Sequence, residues 1–166
     1  MSPDPVPSSA ARTTLSRIMT SLDVNLLGTV HGGVVMNLVD DVAGAAAARH
    51  SHGNAVTAAM DEMMFLRPVR IGDLVHAHAQ VNWAGRTSME VGVRVTAERW
   101  NETDPAEHVA SAYLVFVAVD EDNNPREVPA VTPETDEDRQ RYAEAEIRRA
   151  SRLARREEIR ASRDAR

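Results

Sequence analysis

Asp40 and Asp41 are the only charged residues in the run Gly32–Ala48, where nearly every other side chain is apolar or small. A carboxylate on an apolar element can act as a general base or as a nucleophile. The run is entered through Gly32-Gly33, after a polar loop that spans Asp23 to His31 and includes Asn25. Glycines at a helix start leave the first backbone N–H groups unobstructed, at the positive end of the helix dipole. Such amides can hold the negative charge that develops on a carbonyl oxygen under attack.

At 100° per residue, Gly33, Asn37, Asp40, Asp41, Gly44 and Ala48 share an arc of roughly 100°. Every other side of the helix is apolar. A carboxylate buried there without compensation costs several kcal/mol. The spacing therefore predicts either an arginine partner (Arg17, Arg49 or Arg67) across a subunit interface or a working site. Asp40 lies seven residues beyond Gly33, roughly 10 Å along a helix axis. That is too far for both to act on one carbonyl carbon. If both serve one reaction, the carboxylate and the amides come from different subunits.

The elements that would position these groups follow from the hydrophobic period. Residues 1–12 are rich in proline and serine and are expected to be disordered. Thr13–Leu22 reads as a first strand, and His31 to about His50 as a wrapped helix, ended at Ser51-His-Gly-Asn54. The period then changes to two. Val56–Leu66, Leu74–Trp83 and Ser88–Glu98 alternate, with Val75, Ala77, Ala79, Val81 and Trp83 expected on one face. Val109–Val119 is apolar on both faces and reads as a central strand. Beyond turn-rich Asp120–Pro133, residues 134–166 carry only a thin apolar stripe, which predicts a solvated helix packed lightly and fraying after about Arg156. The organisation expected is a domain over 13–130 and a charged helical tail over 131–166. One strand, one long helix and four more strands predict an antiparallel sheet wrapped around a single helix. A partly exposed sheet face or edge points to dimerisation.

Composition narrows the chemistry. The 166 residues suit one domain. Residues 1–133 hold 16 acids and 9 arginines, whereas 134–166 hold 9 and 10. The acidic body lacks the basic footprint of nucleic-acid binding. With no cysteine and no lysine, thiolate metal sites, cysteine nucleophiles, Schiff bases and P-loops are absent. His76 and His78 share a strand face but lack a third ligand, so no metal is expected. The N-terminus has no signal-peptide pattern and no run approaches a membrane span, which points to a cytoplasmic protein.

Several separated motifs, in order, resemble a known family. Asn25-Leu-Leu-Gly-Thr-Val-His-Gly-Gly33, Asp40, Val56-Thr-Ala58, Phe65-Leu-Arg-Pro-Val69, Ile71-Gly-Asp73 and Gly85-Arg-Thr-Ser88 look like the hotdog-fold acyl-CoA thioesterases. The similarity is to the brain acyl-CoA hydrolase type and its single-domain bacterial relatives, over roughly residues 12–130. It implies an α+β hotdog fold, with a five-stranded antiparallel sheet around one helix, in dimers that assemble into hexamers. It implies hydrolysis of acyl-CoA to a free acid and CoA, with CoA as part of the substrate and no separate cofactor. Asp40 and Asn25 are then catalytic and meet across the dimer interface, and the Gly33 or Val34 amide polarises the thioester carbonyl. His31, Gly32, Thr57, Arg86, Thr87 and Ser88 are the implied substrate and CoA contacts, with His31 favoured as a structural residue. Two other readings are a hotdog hydratase or dehydratase using His31 with Asp40, and a non-catalytic acyl-CoA sensor.

Overall fold

The computed structural model describes residues 3–164. Its elements in chain order are β1 (Val6–Pro7), β2 (Thr13–Ile18), a 3₁₀ turn (Ser21–Asp23), α1 (Gly32–Ser51), β3 (Ala55–Phe65), β4 (Asp73–Ala84), β5 (Ser88–Arg99), β6 (Glu107–Ala118), β7 (Val131–Thr132) and α2 (Asp136–Asp164). Five strands form one antiparallel sheet in the order β2-β4-β5-β6-β3. The sheet packs around α1, and β6 is interior to it, as its two apolar faces require.

The core lies between α1 and the inner face of the sheet. Val39, Val42, Ala43, Ala46 and Ala47 of α1 are fully buried. They meet Val75, Ala77 and Val81 of β4, Val91 and Val95 of β5, and Ala112, Leu114 and Phe116 of β6. Each buried valine or leucine contributes about 1.5–3 kcal/mol relative to an exposed one. The alanines on both layers let the helix lie close to the sheet. α1 begins at the Gly-Gly pair and ends where His52 takes a left-handed conformation with φ 55°. Met36, grouped with the wrapped positions by its apolar character, is instead exposed.

The ladders slip in β3 (Thr57/Ala59 and Met60/Glu62), between β5 and β6 at Val95/Thr96, and, with most effect on the expected alternation, in β4. Between Val81 and Trp83 the β4–β5 register slips by one residue, so Trp83 pairs with Glu90. A bulge of this kind sends the next side chain to the opposite face. Trp83 therefore leaves the face of Val75, Ala77, Ala79 and Val81, and its ring lies 5.0 Å from the Arg149 guanidinium of α2.

Both ends of the chain are more ordered than composition suggests. Among the residues expected to be disordered, Met1 and Ser2 lie outside the described residues. Val6–Pro7 pair in parallel with Val131–Thr132, and the Ser8 hydroxyl donates to Asp138 at 2.9 Å. The short β1–β7 ladder fastens the N-terminal residues to the start of the C-terminal segment. α2 does not fray at Arg156 but runs to Asp164, across the outer face of the sheet. It is held there by charge rather than by an apolar stripe. Arg148 bonds Glu90 at 2.7 Å, and Arg152 bonds Asp61 at 2.5 Å.

The buried Asp138 anchors this arrangement, accepting from Gln80, Ser8, Arg12 and the Thr135 amide. Burial pushes its carboxyl up, but the hydrogen bonds from Gln80, Ser8 and Thr135 outweigh that and hold it far below the usual carboxylate range.

Candidate active site

The open face of α1 carries the acids. Gly33, Asn37 and Asp41 are exposed, and Asp40 and Gly44 are half-buried, while the opposite face is sealed in the core. The arc drawn from the sequence is thus the side of α1 that this chain leaves uncovered. Asp40 accepts a hydrogen bond from the Thr57 hydroxyl of β3 at 2.8 Å. Within one chain none of the three candidate arginines reaches either acid. Arg17 pairs with Asp23, Arg67 with Glu107, and Arg49 donates to Thr13. Thr57, expected at CoA, bonds the carboxylate in this chain.

The loop ahead of α1 is built on Asp23. This buried carboxylate accepts from the Thr20 backbone N–H, the Thr20 hydroxyl and Arg17. These bonds, the Thr20 backbone one first, hold its carboxyl below the ordinary value. Its carbonyl accepts from the His31 N–H at 2.7 Å, which fixes where the helix starts. Between these anchors Asn25 folds on its own loop. Its Oδ1 accepts from the Leu27 N–H at 2.8 Å, and its Nδ2 donates to the Thr29 hydroxyl. No hydrogen bond joins Asn25 to Asp40 among the described residues. Leu22, Leu26 and Leu27 around it are almost fully exposed.

At the helix entrance the amides are not equally available. His31 is the N-cap, and its Nδ1 accepts from the Gly33 N–H at 3.0 Å. The Val34 N–H donates to the His31 carbonyl at 2.9 Å. The Gly32 N–H has no acceptor among the described residues, so it is the open amide, one position before the expected pair. Gly32 lies against the Phe65 ring, at 3.4 Å from where its Cβ would sit. Both border an apolar cavity of about 320 Å³ lined by Val30, Val35, Leu66, Pro68 and Val69. Sequence reasoning missed Phe65 as a wall of the site; its place in the Phe-Leu-Arg-Pro motif was the available signal.

Arg86, Thr87 and Ser88 form the β4–β5 turn, pinned by backbone bonds from Gly85 to Ser88 and from Val128 to Arg86. Ser88 pairs with Val117 of β6, and Thr57 of β3 pairs with Phe116 beside it. The turn is thus two strand spacings, about 10 Å, from Thr57, at the Asp40 end of α1 rather than at its Gly-Gly entrance.

His76 and His78 are occupied on the outer face. His76 bonds Ser16 and Glu98, and His78 bonds Thr14 and Thr96. No group of three or more His, Cys, Asp or Glu side chains able to hold a metal occurs among the described residues. No helix among them is long and apolar enough to cross a membrane.

The thioesterase superfamily profile matches residues 27–102. The chain is 43% identical over 117 residues to the uncharacterized acyl-CoA thioester hydrolase YkhA of Bacillus subtilis, covering 70% of this chain and 67% of that protein. The chain belongs to the thioesterase superfamily. Within it, the cytosolic acyl coenzyme A thioester hydrolase of Mus musculus is 33% identical over 149 residues, and the chain spans 39% of its length.

The acyl-CoA hydrolase of Staphylococcus aureus, solved with butyryl coenzyme A and coenzyme A, is 33% identical. It superposes at a TM-score of 0.86, covering 96% of this chain and 94% of that one. That thioesterase was also solved with an asparagine, an aspartate or a threonine replaced by alanine. The three positions are separated by fifteen and seventeen residues, the separations of Asn25, Asp40 and Thr57 here. An apo-hexameric acyl-CoA thioesterase, 35% identical, superposes at 0.88 over 92% of this chain and 97% of that one.

Proposed function

We propose that the chain hydrolyses acyl-CoA thioesters to a free acid and CoA, at a site completed between two subunits. One observation carries this reading. Asp40 is held by Thr57 on the uncovered face of α1, with no ion pair and no hydrogen bond to Asn25 among the described residues. A carboxylate so placed is oriented but not neutralised. The uncovered face of α1 adjoins β3, the last strand of the sheet, whose outer edge is unpaired among the described residues. A long open edge beside an uncovered helix face is a ready surface for a second copy. The exposed leucines of the Asn25 loop extend the same need for cover.

In the proposed reaction the thioester carbonyl lies against the helix entrance, its oxygen toward the Gly32 N–H. The Gly33 N–H becomes a second donor when the His31 ring turns off it. Asp40 from the other subunit takes a proton from water as water adds to the carbonyl carbon, or adds to that carbon itself. The C–S bond then breaks and the thiolate leaves on CoA, taking up a proton; after attack by water the acid is released directly, whereas after attack by Asp40 water hydrolyses the resulting acyl-aspartate anhydride to release the acid and restore the carboxylate. Asn25 orients the water or the thioester. The apolar cavity behind Phe65 receives the acyl chain or the pantetheine arm, and the Arg86-Thr87-Ser88 turn offers a guanidinium and hydroxyls for phosphate.

The hydratase reading needs a His31–Asp40 pair, and no hydrogen bond or ion pair joins these two among the described residues, where Asp40 is bonded to Thr57. By similarity to hexameric relatives, the dimer assembles into a hexamer, and by similarity to the mouse enzyme its place is cytosolic. Thiol release over a panel of acyl-CoA chain lengths tests the reading. Wild type releases thiol, and Asp40→Ala and Asn25→Ala abolish most of it. Full activity of Asp40→Ala overturns the mechanism, and no release at any chain length overturns the activity.

A further inference from the structure

The sheet-facing side of α2 continues past the sheet. Seven-residue steps return to nearly the same face of a helix, and Asp138, Ala145, Arg152 and Ile159 form such a series. Asp138 and Ala145 are 3% and 1% exposed, and the Arg152 side chain 11%, but Ile159 is 46% exposed. The break falls at the β3 edge. Asp138 contacts Gln80 of β4, Arg148 contacts Glu90 of β5 and the Tyr113 ring of β6, and Arg152 contacts Asp61 of β3. The helix has crossed every strand on its way when it reaches Asp61.

Residues 153–164 remain, about 18 Å of helix at 1.5 Å per residue. Arg155 still reaches back to Asp61 at 3.8 Å; beyond it the helix makes no ion pair or side-chain hydrogen bond to a strand of its own chain among the described residues. Along the same face lie Arg156 and Arg163, flanking Ile159. An apolar residue between two cations, aimed at the level of the sheet, is a contact face without its counterpart.

The outer face of β3 carries a complementary surface. Glu62 and Met64 pair across β6 with Tyr113 and Ser111, on the side where Arg148 covers Tyr113. Glu62 is exposed and has no ion pair among the described residues, and Met64 is 47% exposed. We infer that α2 is a clasp between two copies of this chain. Its overhang crosses the β3 seam and seats Ile159, Arg156 and Arg163 on Glu62 and Met64 of the partner subunit, and the twofold axis repeats the contact. This rests on the proposal that β3 forms the dimer seam. The clasp makes the helical tail part of the unit that assembles the catalytic site, although no tail residue touches substrate.

The chain has no cysteine, so introduced cysteines are unique. Ile159→Cys is co-expressed with Glu62→Cys, and separately with Met64→Cys, on chains with distinguishable tags, and treated with a short bismaleimide. A covalent product containing both tags is expected from at least one pair. Its absence from both overturns the clasp if the chain still sediments as a dimer or larger, whereas a chain that sediments as a monomer overturns the seam itself. A stop after Arg155, which keeps both arginines on Asp61, supplies the second readout. It raises the concentration at which the assembly dissociates about tenfold, the loss of one modest contact cluster. An unchanged dissociation profile overturns the clasp.

Discussion

Thr57→Val separates two roles that the same threonine could fill. The substitution keeps the side-chain shape and removes the hydroxyl that donates to Asp40 at 2.8 Å. A hydrogen bond to a charged group contributes about 1.5–3 kcal/mol when well shielded. Thr57 is exposed and Asp40 half-buried in the single chain, so a value near the low end, about 1.4 kcal/mol or tenfold in rate, is the appropriate expectation. If the hydroxyl positions Asp40, the loss falls on kcat and leaves KM near that of wild type. Thr57→Ser, which retains a donor, recovers most of the rate. The assay is steady-state thiol release on one well-turned-over acyl-CoA, with oligomeric state checked by sedimentation. A raised KM with unchanged kcat would refute the positioning argument and return Thr57 to the CoA-contact role its motif suggested.

Three further outcomes follow from other parts of the structure. Asp138→Asn keeps the volume but replaces one acceptor oxygen by an NH2 donor that faces donors, either Ser8 and Thr135 or Gln80 and Arg12; thermal unfolding at pH 7 should register a loss of about 3 kcal/mol, and an unchanged melting temperature contradicts the anchoring role. Acidification should destabilise the fold through His50, which is buried with its Nε2 on the Pro129 carbonyl and whose pKa burial lowers. The folded state favours the neutral ring, so this stability is full above about pH 6.5 and is lost as pH falls through the lower folded value; His50→Gln should flatten the melting profile between pH 7 and 5. Gly92→Ala places a Cβ 2.4 Å from the Asn82 Nδ2 and should cost about 1–3 kcal/mol, with Asn82→Ala relieving much of that cost; additivity of the two substitutions contradicts the clash.

The sequence carried the central helix and the strand pattern because both follow from local periodicity. Gly32-Gly33 opens α1, the Val and Ala positions bury it, and the arc of Gly33, Asn37, Asp40, Asp41, Gly44 and Ala48 is the side left open. What was not legible depends on groups distant in sequence. Trp83 sits on the outer face because of a one-residue bulge, and nothing in an alternating run marks where the ladder slips. Ser8 lies among prolines and serines, yet Asp138, 130 residues away, holds it. α2 packs through Arg148–Glu90 and Arg152–Asp61, so its thin apolar stripe understated how firmly it is seated. At the site, the helix pattern marked Asp40 and Asp41 alike, and the resemblance singled out Asp40 and supplied the role of Asn25. Which entrance amide is open depended on the His31 ring, whose orientation no spacing encodes.

The central claim is that Asn25 and Asp40 act on one thioester from different subunits. Subunit complementation tests it most directly. Asn25→Ala and Asp40→Ala chains, each nearly inactive alone, are co-expressed in equal amounts and assayed for thiol release. In a twofold dimer with random pairing, half the dimers are mixed and each has one site with both residues intact, so about a quarter of wild-type activity returns. If both residues served a site within one chain, no pairing could restore it, and the mixture would stay as inactive as its components.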